Sequence, residues 1–278
     1  MQLSQIWQYP AKSMLGVQVD TAMLAADGVV GDRMWALRDE VRGAIASARR
    51  VSGISALTAS VVADGRALSI RLPDGSTVSD TDPDVDEKLS AAVHHRVSLW
   101  AKQPASNVDH YRRGRSDSDD MMAELRAVFG RLPDEPLPDF SIFPPEIIEF
   151  EYPPGNYFDC YPLMIMSTSA IDSLRTALPG STIDERRFRP SLVVDTETLG
   201  GHPEFAWIGR RMLIGATEVE IRSGCPRCAM ITNEFSHDLP RDTSILRHVV
   251  RNLDQNVGVY ATIVRGGEIA LGDSVELV

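Results

Sequence analysis

The chain has 278 residues, of which 43% are hydrophobic and 24% are charged, a composition typical of a globular protein with one large domain or two modest ones. Its net charge of -11 argues against nucleic acid as a partner, because an acidic surface repels phosphate backbones. No segment is long and apolar enough to span a membrane, and the N-terminus lacks a signal-peptide pattern, so we expect a cytoplasmic protein with no membrane partner.

The first hundred residues are rich in predicted strands. Apolar and polar residues alternate at 17–20, 68–72 and 96–100, as they do in strands with one buried face. The sequence PDGS at 73–76 directly follows the second of these segments and predicts a hairpin turn.

A predicted helix and a proline-rich loop follow. Ser118 can cap the helix and Gly130 can end it. The predicted apolar face consists of Met122, Leu125, Val128 and Phe129. Prolines recur from 133 to 154, including the pair Pro144-Pro145, and indicate loop and a change of domain. We therefore predict a first domain at 1–117 and a second at 118–278, with a connection at 118–156 and a barrel core at 157–278.

The second half mixes strands and helices without a regular alternation. Strands are predicted at 163–166, 192–194, 217–222 and 257–264, and a hairpin turn at 265–268. Helices are predicted after Ser167 or Ser169 and after Asp242 or Thr243. The fold class is therefore mixed α/β and mainly β, with an N-terminal β-barrel-like domain and a second β-barrel surrounded by peripheral helices.

The most informative motif is Cys225-Pro226-Arg227-Cys228, in a chain whose only other cysteine is Cys160. Three thiols are too few for a disulfide framework or for an ordinary iron–sulfur cluster. A thiolate is a good ligand for a soft metal and a good nucleophile, and the neighbouring arginine can hold an anionic cofactor. These residue types predict a cofactor or metal site.

Three other interpretations of this motif stay open at the level of residue spacing. The cysteines could form half of a zinc site with His237 and His248, although the spacing fits no ordinary zinc finger. They could form a redox dithiol, although no βαβ pattern surrounds them, or they could be structural.

Eight short motifs, taken together and in order, resemble a known family. These motifs are YPAKS at 9–13, GDRMW at 31–35, AR at 48–49, DCYPL at 159–163, RFRP at 187–190, CPRC at 225–228, GVY at 258–260 and GD at 272–273. The chain resembles the MOSC-domain proteins with an N-terminal β-barrel domain, the family of the mitochondrial amidoxime reducing component and its bacterial relatives.

The resemblance implies a cofactor and a set of site residues. The cofactor would be the molybdenum cofactor (Mo-molybdopterin), with Cys228 as the metal ligand and catalytic residue. The residues that the resemblance places around the cofactor are Lys12, Ser13, Arg33, Arg49, Asp159, Cys160, Arg189, Arg227 and Tyr260. Arginine suits this role because its planar fork of donors fits phosphate and keeps its charge when buried.

The resemblance also implies a function, namely a molybdenum-dependent oxidoreductase that reduces N-hydroxylated or N-oxide-type small molecules by removing oxygen. The alternative is a carrier of molybdenum cofactor or sulfur without turnover of its own. No ferredoxin-like domain is found up to Val278, so we expect a separate electron-transfer protein of the ferredoxin, flavin reductase or cytochrome type.

Overall fold

The computed structural model describes residues 1–62, 67–116, 118–142, 149–196 and 199–278. The strands within these ranges are β1 (Gln2–Gln8), β2 (Val17–Val19), β3 (Thr21–Ala25), β4 (Gly28–Val29), β5 (Trp35–Asp39), β6 (Ala44–Ile45), β7 (Thr58–Val61), β8 (Leu68–Arg71), β9 (Thr77–Ser79), β10 (Val97–Ala101), β11 (Leu163–Ser167), β12 (Leu192–Asp195), β13 (Arg211–Ile214), β14 (Thr217–Pro226), β15 (Asn256–Arg265), β16 (Gly267–Ala270) and β17 (Val275–Leu277). The α-helices are α1 (Val85–Val93), α2 (Val108–Tyr111), α3 (Met121–Phe129), α4 (Thr168–Ala177) and α5 (Ser244–Asn252).

An eight-stranded sheet forms the centre of the second half, with the order β17-β13-β14-β15-β11-β12-β1-β2. Strands β11 and β12 are parallel, whereas β1 pairs with β12 and β15 pairs with β11 in antiparallel register. Inward-facing residues such as Ile6, Ile165 and Ile221 pack together in one cluster. The first strand of the chain therefore completes the sheet that the second half builds.

Three smaller sheets have the orders β10-β5-β6, β7-β8-β9 and β16-β3-β4. The hairpin predicted at 73–76 is confirmed, because β8 and β9 pair across it in antiparallel register. The prediction of a hairpin at 265–268 is wrong, because β16 pairs with β3 and not with β15. Gly266 permits this crossing, since a Cβ at that position would lie 2.4 Å from the carbonyl oxygen of Leu24.

The helix predicted near residue 118 is α3. Its N-cap is Asp120 rather than Ser118, because the Asp120 carboxylate accepts hydrogen bonds from the backbone N–H groups of Met122 and Ala123. Gly130 ends the helix in the left-handed conformation, with φ 63°, as predicted. The Ser167 hydroxyl caps α4 by accepting a hydrogen bond from the Ala170 N–H, as predicted. The helix α5 begins directly after Thr243, as predicted, but the Thr243 side chain makes no capping hydrogen bond within the described residues.

The predicted fold class is confirmed, since the fold is mixed α/β, strands dominate it and the helices lie outside the sheets. In the described part of the chain the sheets have open edges and do not close into complete barrels. The division at residue 117 stays a prediction. Residue 117 itself and the predicted loop at Pro144-Pro145 lie outside the described residues.

Candidate functional site

A cavity of about 520 Å³ brings together segments from the whole chain. Seven of the ten predicted site residues line it: Arg33, Arg49, Asp159, Arg189, Arg227, Cys228 and Tyr260. Among the residues that the structure describes, the other three, Lys12, Ser13 and Cys160, are not part of the lining. The sequence motifs therefore converge in space although more than two hundred residues separate the first from the last.

Cys228 lies where β14 ends and a 3-10 helix, Ala229–Thr232, begins. The backbone N–H of Arg227 donates to the carbonyl of Gln255 at 2.8 Å, and Nη2 of the buried Arg131 donates to the carbonyl of Arg227 at 2.9 Å. These two bonds hold the backbone directly before Cys228. The Cys228 side chain is only partly buried and borders the cavity. It is accordingly the cysteine best placed to bind a ligand within the cavity.

Cys225 has a different environment, although it also borders the cavity. It is 2% exposed, and its sulfur accepts a hydrogen bond from Nη1 of Arg227 at 2.9 Å. Burial raises the pKa of the Cys225 thiol, and Arg227 opposes that rise only in part. Cys225 therefore orients Arg227, whereas Cys228 faces the open space of the cavity.

Four arginines form what we call the basic wall of the cavity: Arg33, Arg49, Arg189 and Arg227. Arg33 Nη1 lies 2.9 Å from a carboxylate oxygen of the buried Asp32, and the Arg189 guanidinium stacks 4.2 Å above the ring of Tyr9. Burial, with Arg33 close by, lowers the pKa of Arg189 to about 10, so the guanidinium still carries its charge at neutral pH.

Backbone strain concentrates at this site. Six non-glycine residues of the described chain have positive φ, a conformation that side chains with a Cβ disfavour. Three of them are predicted site residues, namely Ser13 at 65°, Arg33 at 52° and Arg189 at 58°. A fourth, Gln255 at 69°, accepts a hydrogen bond from the Arg227 backbone and so holds residues 225–228, which we call the cysteine loop. Strained residues cluster at functional sites because the surrounding structure must fix them, so this distribution independently marks the region as functional.

An ion-pair network centred on Asp159 connects the basic wall to the buried Lys12. Lys12 Nζ lies 3.0 Å and Arg49 Nη2 lies 3.1 Å from the same Asp159 oxygen. Lys12 also donates to the carbonyl of Tyr157 at 2.8 Å, and its ammonium lies 3.7 Å from the ring centre of Tyr152. Burial lowers the pKa of Lys12 to about 8, while Lys12 and Arg49 hold the pKa of the Asp159 carboxyl well below its usual range. Lys12 thus supports the cavity through Asp159.

Two other predicted residues border this region without lining the cavity. Ser13 is buried beside Lys12. Cys160 is half-buried, and burial raises the pKa of its thiol to about 12, with Cys225 and Asp159 adding to the rise. A thiol with so high a pKa is a poor nucleophile at neutral pH.

Sequence reasoning missed part of the lining. Arg42, Arg50 and Arg113 also line the cavity and bring the arginines in its described lining to seven. The same lining contains three carboxylates, those of Glu124, Glu151 and Asp159. Sequence reasoning also missed a second, apolar side. That side, which we call the apolar wall, consists of Met121, Leu125, Val128, Phe129, Phe140 and Met230. Its one sequence signal was the amphipathic pattern of α3, which a core helix would show equally well.

The lining fits an anionic cofactor. Arg189 Nη1 and Arg227 Nε are buried and have no hydrogen-bond partner among the described residues. A buried, charged donor without a partner is costly, so both atoms indicate a ligand that accepts hydrogen bonds and carries negative charge. The phosphate and dithiolene of a molybdopterin meet both requirements, and the thiolate of Cys228 is a soft ligand suited to such a metal.

Two features are absent from the described residues. No helix there combines the length and apolar character that crossing a bilayer requires. No group of three or more His, Cys, Asp and Glu side chains there could hold a metal ion.

The protein is mainly β. Its first half contributes β1 and β2 to the sheet of the second half, and both halves contribute residues to a cavity lined by cysteine and arginine side chains. A family model for the MOSC N-terminal beta barrel domain matches residues 1–112, and one for the MOSC domain matches residues 154–276. The chain is therefore a MOSC-domain protein with a MOSC N-terminal beta barrel domain, as the sequence motifs predicted.

Curated relatives that match at low sequence identity are named as mitochondrial amidoxime reducing components. The chain is 24% identical over 251 residues to mitochondrial amidoxime-reducing component 1 of Mus musculus, a match that covers 83% of this chain and 65% of that protein. It is 23% identical over 292 residues to mitochondrial amidoxime reducing component 2 of Bos taurus, covering 98% and 82%. The match thus spans slightly less than two thirds of the mouse protein. Among solved structures, the YuaD protein from Bacillus subtilis is similar, with 10% identity, a TM-score of 0.44 and coverage of 99% and 94%.

Proposed function

We propose that this protein is a molybdenum-cofactor-dependent oxidoreductase that reduces N-hydroxylated or N-oxide-type small molecules by removing oxygen. The observation that carries the proposal is that Cys228 and the basic wall line the same cavity. The matched MOSC domains and the relatives named as amidoxime-reducing components support the same class of reaction.

Each side of the cofactor would meet residues of matching chemistry. Cys228 would bind the metal as a thiolate. The unpartnered donors of Arg189 and Arg227 would bind the anionic groups, and Arg33 and Arg49 would add positive charge. When bound, the cofactor would supply two-electron oxygen-atom chemistry, which amino-acid side chains cannot perform.

The remaining residues would orient these groups. Cys225 and the carbonyl of Phe188 fix the Arg227 guanidinium, and Arg131 with Gln255 fixes the backbone that carries Cys228. Removing one oxygen as water requires two electrons and two protons. We propose that the electrons come from a separate ferredoxin, flavin reductase or cytochrome-type protein in the cytoplasm.

The test compares the two cysteines of the motif. The protein and its Cys228→Ala and Cys225→Ala variants are purified from a host that makes molybdenum cofactor. Molybdenum per chain is measured, and so is benzamidoxime reduction with a chemical electron donor. We expect Cys228→Ala to lose metal and turnover. We expect Cys225→Ala to retain the metal, because the Cys225 sulfur accepts a hydrogen bond from Arg227 and is not the proposed metal ligand.

The outcomes separate the two candidate functions. Turnover that depends on Cys228 supports the reductase. Molybdenum bound without turnover, and released to an acceptor protein, would instead support the carrier. A wild-type protein that acquires no molybdenum in such a host would contradict both, and metal lost only in Cys225→Ala would contradict the assignment of Cys228.

A further inference from the structure

The apolar wall consists mainly of one face of α3. Met121, Leu125, Val128 and Phe129 follow the spacing i, i+4, i+7 and i+8, which places them on one side of the helix. Phe129 packs edge-on against Phe140, with ring centres 5.7 Å apart. A helix normally buries such a face in the core, but this one borders a cavity. Met121 is 70% exposed, and Leu125 and Val128 are only partly buried.

The wall has a fixed position relative to Cys228. Gly130, at the end of α3, lies so close to Ala229 that a Cβ on it would be 3.2 Å from the Ala229 Cα. Met230, the second residue after Cys228, belongs to the wall itself. On another side, Glu124 of α3 forms an ion pair with Arg50. The wall is thus attached to both the cysteine loop and the N-terminal half of the chain.

The chemistry of the wall suits the substrate rather than the cofactor. A pterin carries hydrogen-bonding groups around its edge, and thioether, aliphatic and phenyl side chains satisfy none of them. The same side chains gain by covering the apolar surface of a ligand. A concave space of about 520 Å³ lies in the range of small-molecule pockets, so a flat protein surface would not fill it.

We propose that the apolar wall binds the apolar body of the substrate, while its N–O group faces Cys228. This inference rests on the proposed function and names the substrate class more narrowly. The substrates are small molecules in which an aryl or branched alkyl group carries the N-hydroxyl or N-oxide group. Compact substrates without such a group would bind weakly, since they leave the wall in contact with water.

The experiment uses two amidoximes that differ only in their apolar body, benzamidoxime and acetamidoxime. Binding to the molybdenum-loaded protein is measured by equilibrium dialysis without an electron donor, and kcat/KM is measured with one. We expect the wild type to prefer benzamidoxime by at least about tenfold, the discrimination typical of a small apolar group in an apolar pocket.

Adjacent methionines provide a matched pair of variants. Met121→Asp places a charge in the wall, whereas Met122→Asp places the same charge at the next position of the same helical turn, outside the described lining. An aspartate suits the first turn of a helix at either position, so neither change should prevent folding. Leu125→Asp adds a second disruption of the wall. We expect Met121→Asp and Leu125→Asp to lower the preference for benzamidoxime about tenfold in both measurements, and Met122→Asp to leave it unchanged.

The outcomes distinguish this inference from the proposed function. Equal binding of the two amidoximes, or a preference that all three variants leave unchanged, would overturn the role of the wall even if both compounds are reduced. A preference that Met121→Asp lowers and Met122→Asp does not supports the wall. If that pattern appears in binding while the loaded protein reduces neither compound, the wall stands and the proposed reductase function fails.

Discussion

The two walls of the cavity are built in opposite ways. The basic wall takes one arginine from each of four separate segments, and Arg33 and Arg189 are held in strained backbone conformations. The apolar wall takes most of its residues from α3 alone. Buried charges require partners and exact placement, which the whole fold must supply, whereas an apolar surface requires only an amphipathic helix. The basic wall should therefore tolerate little change, and the apolar wall should be adjustable.

Among changes to the two walls, the largest expected effect comes from removing a strained arginine. Arg189→Gly deletes the guanidinium, but glycine adopts φ 58° without strain, so the chain should still fold. We expect cofactor affinity to fall at least about tenfold, because a charged hydrogen bond to an anion contributes about 1.5–3 kcal/mol. Molybdenum per chain and the melting temperature are measured together.

His94→Gly is the matched control for that variant. His94 also has positive φ, 53°, but it ends α1 and is not part of the described cavity lining. The His94→Gly variant should gain the same relief of backbone strain, and its molybdenum content should not change. Equal retention of molybdenum in both variants would show that Arg189 does not bind the cofactor.

The cost of the buried charge on Lys12 should appear in the pH dependence of stability. The pKa of Lys12 falls from 10.5 to about 8 in the folded chain, so between these values the unfolded chain binds more protons and stability rises with pH. Relative to Lys12→Met, the unfolding free energy of the cofactor-free protein should rise by up to about 3 kcal/mol across this window. Urea denaturation at several pH values measures the difference, and a difference that is flat with pH would contradict the buried, depressed lysine.

The smallest effect is expected at the ion pair that attaches α3. Glu124→Gln weakens its contacts with Arg50 and Arg42, a loss of about 1 kcal/mol or less for a half-buried pair. The amides of α3 should then exchange hydrogen faster, with the rest of the fold unchanged. Glu87→Gln, on the exposed face of α1, is the control. Unchanged exchange in α3 would show that the apolar wall does not depend on this attachment.

Local features of the sequence predicted the local structure well. The alternation at 68–72 and the turn at 73–76 gave a hairpin, Gly130 ended α3, and Ser167 capped α4. These features depend on neighbouring residues, whose steric and hydrogen-bonding preferences operate over a few positions. The choice of Asp120 over Ser118 as the cap was missed because both residues suit that role and stand two positions apart.

The sequence by itself determined local elements such as the hairpin of β8 and β9 and the helices α3, α4 and α5, where the cysteine motif lies and which family the motifs resemble. Only the tertiary structure decided that β1 joins the sheet of the second half, that β16 pairs with β3, and that Met121 rather than Met122 faces the cavity. It also separated the buried Cys225 from the accessible Cys228, which the motif alone left equivalent. Pairing between distant strands and the direction of a helix face depend on what the rest of the chain packs against them, and no local pattern records that.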